Sequence, residues 1–196
     1  MNLTKKAHQI IDEYYANKKI RVAIDATCGN GNDSLFLASR AEKLFCFDIQ
    51  ASAIRNTKAQ LHSATLDTTN LAVSYILDSH SNLQKHCGKH AGTVDVIMFN
   101  LGYLPKSDDI EITTQTSSTI AAIEQAIQCS SKTGLISILC YRGHAGGSEE
   151  YQALRKLLNS IDQHGWHWQQ FDSFNSNEST PVLLVLTRTL VQPLAT

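Results

Sequence analysis

The chain has 196 residues, a formal net charge of −1, 42% hydrophobic and 18% charged residues. That length suits one sizeable core and is short for two domains, so a single domain over 1–196 is expected. A near-neutral balance excludes a global pull towards nucleic acid, so any RNA recognition has to rest on a local patch or pocket. No run approaches the roughly 20 apolar residues of a membrane span.

The opening residues, Met1-Asn2-Leu3-Thr4-Lys5-Lys6, lead into an amphipathic pattern and not into a signal-peptide core. Five cysteines without regular spacing read as reduced thiols, the state expected in a cytoplasm. Within an N-terminal segment 1–20, residues 4–17 place Ala7, Ile10, Ile11 and Tyr14 on one stripe, which predicts a helix. His8 lies beside that stripe and reads as a helix-surface histidine, and Lys18, Lys19 and Arg21 read as a solvated basic turn.

A strand is predicted at 21–25 and a helix from about 33 to 40, capped near Asn32 or Asp33. Between them runs Asp25-Ala26-Thr27-Cys28-Gly29-Asn30-Gly31-Asn32-Asp33. Strand, glycine loop and helix together lay a nucleotide-like ligand against a helix N-terminus. Gly29 and Gly31 let backbone pass close to such a ligand, and Asp25 can accept from its cationic group or from loop amides. The third glycine of the NAD fingerprint is missing, and no Gly-Lys-Ser/Thr of a phosphate-binding loop follows. An acid and a G-x-G loop without phosphate-binding residues suit S-adenosylmethionine (SAM), which carries an ammonium, a sulfonium and a ribose. A purely structural strand-to-helix turn is the alternative.

The second strand, 44–48, ends at Asp48, 17 residues after Gly31. That is near the spacing at which an acid holds ribose hydroxyls, with Gln50 within reach of the same ligand. Asp48 could also cap the helix predicted at 50–62, and the two roles use different lone pairs. Strand three, 71–77, leads into Asp78-Ser79-His80, where polar groups meet an adenine edge. His80, His86, Cys87 and His90 resemble metal ligands, but H-x5-H-C-x2-H fits no structural zinc pattern and no metal is expected.

Strand four, 93–99, is apolar on both faces and ends in Asn100-Leu101-Gly102-Tyr103-Leu104-Pro105. An Asn at a strand end followed by Tyr resembles the Asn-Pro-Pro-Tyr loop of methyltransferases acting on nitrogen. A nitrogen nucleophile must keep its lone pair aimed at the sulfonium methyl. The Asn100 amide oxygen and the Leu101 carbonyl can accept the amine's hydrogens, and Tyr103 can stack on the attached base. An ordinary turn with a core tyrosine is the plain alternative. Residues 106–119 read as a long substrate loop, and a helix follows at 119–130, capped by Ser118 or Thr119. Strand five, 134–141, leads into Arg142-Gly143-His144-Ala145-Gly146-Gly147. A helix at 148–164 with Ser148 as its cap comes next, then strands at 166–172 and 182–188. Seven strands alternating with helices, the last two strands adjacent, give the order of a class I SAM-dependent methyltransferase. That fold is Rossmann-like α/β, with a mostly parallel sheet and helices on both faces.

DATCGNGND (25–33), LFLA (35–38), FDIQ (47–50), DSH (78–80), FNLGYLP (99–105), ITT (112–114) and YRGHAGG (141–147) together resemble one bacterial family. It is the rRNA methylase-like family, which includes methyltransferases acting on 5-(aminomethyl)-2-thiouridine at the tRNA wobble position. The resemblance spans about residues 2 to 188, with Cys28 where the family has Ala, Asn32 where it has His, and Lys106-Ser107 in place of a Gly pair. It implies SAM as methyl donor, bound by Asn30, Asn32, Asp48, Gln50, Ser79 and His80. A substrate side of Asn100, Tyr103, Tyr141 and His144 is likewise implied, with His144 either a general base or an anticodon contact. Asp25, Gly29 and Asp33 complete the expected cofactor loop. The expected partner is a tRNA anticodon stem-loop, with a homodimer left open and neither membrane nor metal involved.

Overall fold

The computed structural model describes residues 2–64, 71–102, 115–161, 165–173 and 177–188. Among them, runs of aliphatic and aromatic residues form seven strands: β1 (Ile20–Asp25), β2 (Ala41–Asp48), β3 (Ala72–Leu77), β4 (Val94–Leu101), β5 (Ser130–Cys140), β6 (Trp166–Asp172) and β7 (Val182–Arg188). The helices are α1 (Leu3–Tyr14), α2 (Asn32–Ala38), α3 (Ala51–Ser63), α4 (Leu83–Cys87), α5 (Thr116–Cys129) and α6 (Gly147–Ile161). The strands make one sheet in the order β3-β2-β1-β4-β5-β7-β6. Strands β1 to β5 pair in parallel, and β7 runs antiparallel to both β5 and β6. The expected mostly parallel, seven-stranded class I methyltransferase sheet is therefore the one observed.

Alternation along the strands divides the core in two. Val22, Ile24, Phe45, Phe47, Ile97, Phe99, Ile136 and Ile138 point to one face, where α5 and α6 bury Ala122, Ile123, Ala126, Tyr151, Leu154 and Leu158. Ala23, Leu44, Cys46, Val96, Met98 and Leu135 point to the other, covered by Leu3, Ala7 and Ile11 of α1 and by Leu37, Ala38 and Leu61 of α2 and α3. Helix α1 is capped by Asn2, whose Oδ1 accepts from the Lys5 amide at 3.1 Å.

Several boundaries differ from expectation for physical reasons. Strand β2 begins at Ala41 and not 44, and β5 at Ser130 and not 134. Their polar leading residues carry no apolar signal, although the Ser130 end pairs with Val94 of β4. Neither Asn32 nor Asp33 caps α2, because Gly31 takes that position in the left-handed conformation. Ser118 and Thr119 lie inside the first turn of α5, behind Gln115. Ser148 lies inside α6, which starts at Gly147.

Chain order places β2 and β3 on one side of β1, and β4 and β5 on the other. The crevice beyond the carboxyl ends of β1 and β4 is thus the topological switch point, where open α/β sheets bind ligands.

Candidate active site

A cavity of about 570 Å³ opens at that switch point. Its walls come from the loop after β1, the ends of β2, β4 and β5, the turn after β3, and the starts of α1 and α5. The β1 loop is stitched to its neighbours. The Ala26 amide donates to the Met98 carbonyl at 2.9 Å, the Cys28 amide donates to the Phe47 carbonyl at 2.8 Å, and the Asn100 amide donates to Thr27 Oγ1 at 2.7 Å. Gly31 has φ +83°, and a Cβ there would lie 2.9 Å from the Thr57 Cα of α3. Only glycine meets both demands at once.

Asp25 takes the loop-amide role of its two expected ones. Its carboxylate accepts from the Thr27 amide at 3.3 Å and from Ser34 Oγ at 2.6 Å, is 1% exposed, and is not among the cavity-lining residues. Burial, helped by the charge of Asp33, holds it well above the usual carboxylate range. Asp48 does line the cavity. One oxygen accepts from the Gly29 amide at 3.0 Å and the other from the Gln50 amide at 2.9 Å, while Gln50 itself holds the N-cap position of α3. Each carboxylate oxygen keeps a lone pair for a further donor, as a ribose diol would supply. Desolvation raises the Asp48 pKa, partly offset by these backbone donors.

Asn30 and Asn32 line the cavity while tied to α3, accepting from Asn56 Nδ2 and Gln60 Nε2, each at 3.2 Å. Gly29, Gln50, Ser79 and Asn100 are also in the wall. So is His80, 8% exposed, whose Nε2 is buried without a partner among the described residues. Burial lowers the His80 pKa to about 4, so its imidazole is neutral near pH 7. Beneath it, the Asp78 carboxylate lies outside the wall and is held far below the usual carboxylate range, first by the hydrogen bond from His86, then by Asn82 and Lys85.

The four residues that resembled a metal set separate. His86 pairs with Asp78 at 2.8 Å, Cys87 is buried in the core, His90 packs edge-on to Phe45, and His80 faces the cavity. No group of three or more His, Cys, Asp or Glu placed to hold a metal occurs among the described residues.

On the other wall, Asn100 is the last residue but one of β4. Its Nδ2 donates to Asp33 Oδ2 at 3.4 Å, and Asp33 Oδ1 lies 2.7 Å from His8 Nε2. Asp33 is 7% exposed and lines the cavity. His8 corrects its reading as a surface histidine: it is half-buried, paired with Asp33, and stacked flat on Phe36 at 3.8 Å. Tyr141, at the end of β5, lines the cavity against Gly102, where a Cβ would sit 3.3 Å from the ring. His144 does not reach the wall. Its Nδ1 donates to the Ala145 carbonyl at 2.9 Å, and its Nε2 is buried near the backbone of Gly147. Tyr103, Lys106 and Ser107 lie outside the described residues, as does the expected loop up to 114, while Gln115 takes the N-cap position and 116–119 begin α5.

Sequence reasoning missed Thr4, Thr27, Ile49, Gln115 and Ser118 as wall residues. Ile49 had a usable signal, since an apolar residue directly after a strand-end acid has no core to enter; it is 55% exposed.

The lining holds two carboxylates, Asp33 and Asp48, and no Lys or Arg among the described residues. That set repels phosphates and suits a cationic ligand with a ribose and a heterocycle. The exposed Ile49 side chain and the neutral His80 imidazole give that end of the wall an uncharged lining suited to a heterocycle.

The family described as "Putative rRNA methylase" matches residues 44–187. A curated relative, the "tRNA (mnm(5)s(2)U34)-methyltransferase, chloroplastic" of Arabidopsis thaliana, is 30% identical over 191 residues, covering 93% of this chain and 68% of that protein. Among solved structures, a "putative rRNA-methylase" from Clostridium thermocellum is 34% identical with TM-score 0.84, covering 96% of this chain and 98% of that one. A "putative methyltransferase" from Streptococcus mutans, in complex with SAH, is 29% identical with TM-score 0.77 and covers 92% and 96%. With the cavity and the sheet order already pointing the same way, this chain belongs to the rRNA methylase family of class I methyltransferases, and SAM is its methyl donor.

Proposed function

We propose that the protein methylates the amine of 5-aminomethyl-(2-thio)uridine at tRNA position 34, giving 5-methylaminomethyl-(2-thio)uridine. The observation that carries this reading is the Arabidopsis relative, 30% identical over 191 residues and named for that wobble nucleoside. The Asn100 wall supports it, since an amide oxygen at the end of β4 suits an amine acceptor.

Bound SAM supplies an electrophilic methyl group on its sulfonium. In this reading the Asp48 carboxylate holds the ribose hydroxyls. Ile49, Ser79 and His80 enclose the adenine, and Asn30, Asn32 and Gln50 complete the donor side. The Asn100 amide oxygen and the Leu101 carbonyl accept the amine's hydrogens, which turns the nitrogen lone pair towards the methyl carbon. Tyr103 and Tyr141 frame the attached base. His144, off the cavity wall, is assigned to the anticodon backbone rather than to proton removal. The setting is cytoplasmic in this reading, and the five buried free cysteines agree with it.

A net charge of −1 argues against a broad footprint on ribosomal RNA, whereas an anticodon stem-loop asks for only a few phosphate contacts. Of the basic residues singled out in the sequence, Lys18, Lys19 and Arg21 precede or open β1, at the end of the sheet away from the cavity. Arg142 donates to the carbonyls of Thr180 and Asn177. Lys5 and Lys6, which follow the wall residue Thr4 on α1, with Lys6 over the Phe171 ring, are the remaining cations among the described residues of that set.

Purified protein with methyl-labelled SAM is expected to label tRNA that carries the aminomethyl group and to leave tRNA lacking it unlabelled. Nucleoside mass spectrometry would identify the product. Equal labelling of both tRNAs, or of ribosomal RNA alone, would move the substrate to another RNA nitrogen. Absence of label in any RNA, with RNA still bound, would leave a binding module.

A further inference from the structure

We infer that His8 is a positioning residue for methyl transfer, acting through Asp33 to hold the Asn100 amide with its oxygen towards the acceptor nitrogen. The inference rests on the amine-methylation reading above, and it starts from a chain of three side chains from three elements. His8 Nε2 of α1 lies 2.7 Å from Asp33 Oδ1 of α2, and Asn100 Nδ2 of β4 lies 3.4 Å from Asp33 Oδ2.

The direction of each bond follows from the middle member. An ionised carboxylate only accepts, so His8 must present an N–H to it and Asn100 must present its NH2 group. An amide whose nitrogen is claimed by Asp33 turns its oxygen the other way. The Asn100 backbone cannot swing to undo this, because its amide is pinned to Thr27 Oγ1 at 2.7 Å. The flipped amide would offer two N–H groups to an amine that also needs to donate, and the lone pair would lose its aim. At 3.4 Å the Asn100–Asp33 contact is long, of the kind that tightens once substrate is in place.

His8 is what keeps Asp33 in that posture. Asp33 is 7% exposed and close enough to the buried Asp25 for their charges to interact. Largely cut off from water, Asp33 would have an unsatisfied outer oxygen without the His8 donor, and its carboxylate would turn from its present position to find another partner. Stacking on Phe36 at 3.8 Å and 4° fixes the plane of the His8 ring, and α1, anchored by Leu3, Ala7 and Ile11, fixes its origin.

Two substitutions separate the hydrogen bond from the packing. His8→Phe keeps a flat ring on Phe36 and removes the donor, whereas His8→Gln returns an N–H at about the reach of Nε2. With saturating SAM and aminomethyl-bearing tRNA, the single-turnover rate of His8→Phe should fall by about tenfold or more, the weight of one charge-assisted hydrogen bond. SAM affinity by calorimetry should stay within about twofold, and His8→Gln should recover most of the rate. In labelled protein, the Asn100 side-chain NH2 resonances, assigned by their loss in Asn100→Ala, should move in His8→Phe and return in His8→Gln.

A wild-type rate in His8→Phe, an equal loss in both variants, or a SAM affinity that falls in step with the rate would overturn the role. So would unmoved Asn100 resonances, which need no substrate to read. If Asn100→Ala is slow while His8→Phe is not, this inference fails and the amine-methylation reading stands. If the wild-type protein leaves the aminomethyl group unmethylated, the reading fails and takes the inference with it.

Discussion

Replacing Asp48 by Ala should weaken SAM binding by about 2–3 kcal/mol, a factor of roughly 30 to 160 in Kd. The size follows from what the carboxylate touches. It accepts from the Gly29 and Gln50 amides at 3.0 and 2.9 Å, one on each oxygen, and each oxygen retains a lone pair for a ribose hydroxyl. Charge-assisted hydrogen bonds contribute about 1.5–3 kcal/mol each at most, and water reaches this half-open wall and recovers part of that. The two orphaned amides loosen the loop and account for the remainder of the loss. Calorimetric titration with SAM and with SAH gives the affinity directly. A ligand-dependent melting shift checks it, because ligand stabilisation grows as the logarithm of one plus the ratio of free ligand to Kd. A 2′-deoxy analogue of SAH isolates the ribose contact. It should bind more weakly than SAH to the wild-type protein, and the two should bind alike to Asp48→Ala, a coupling of about 1–2 kcal/mol. Wild-type SAM affinity in the variant, or a deoxy penalty that persists without the carboxylate, would refute the assignment of Asp48 to the ribose.

Asn100→Ala should reduce the single-turnover methyl-transfer rate by about a hundredfold or more while changing SAM affinity little, since orientation is worth several kcal/mol; a normal rate would remove Asn100 from the mechanism. Tyr103→Ala should weaken tRNA binding by about 1–3 kcal/mol if the ring stacks on a base, read by filter binding. Lys5→Glu combined with Lys6→Glu should weaken tRNA binding and flatten its already shallow salt dependence, and an unchanged slope would place the phosphate contacts elsewhere. Burial lowers the His80 pKa from 6.5 to about 4, so the unfolded chain takes up that proton first as pH falls. The stability tied to neutral His80 is complete above pH 6.5 and is lost as pH drops towards about 4, by about 2–3 kcal/mol at the low end. Denaturant melts of His80→Gln should show a correspondingly flatter pH profile across that window than the wild-type protein.

The strands were legible because burial on both faces leaves an unmixed apolar run, as in Val96 to Phe99, and that run ends abruptly in a polar residue, Asn100. Such abrupt ends are also where the cavity lies, so the fold and much of the cavity wall were read from the same residues. The boundaries that moved are polar. Ser130 to Thr133 extend β5 without an apolar signal, two of them buried against β4, and only three-dimensional pairing brings them into the strand. Helix α5 begins at Thr116, ahead of both expected caps, Ser118 and Thr119, and the Thr119 hydroxyl donates to Glu150, a partner 31 residues away. A hydroxyl that satisfies a distant carboxylate carries the same letter as one that caps its own helix.

The acceptor side was half legible for a related reason. Asn100 stood out by its place at a strand end, yet the groups that orient it are 67 and 25 residues apart in the chain, link by link, and sit on helices whose periodicity reports only packing. His8 occupies the flank of an apolar stripe, where a solvated polar residue is the ordinary finding. What makes it different is the neighbour it meets, a carboxylate at the first turn of α2 that is crowded by Asp25. Helix α1 therefore acts in two ways that sequence cannot separate: its stripe of Leu3, Ala7 and Ile11 closes one face of the sheet, and its edge places a donor against the site. Truncating the segment would remove both together and unfold the face. Exchanging His8 for Phe leaves the stripe and the stacked ring in place, so any loss of methyl transfer then reports the donor alone.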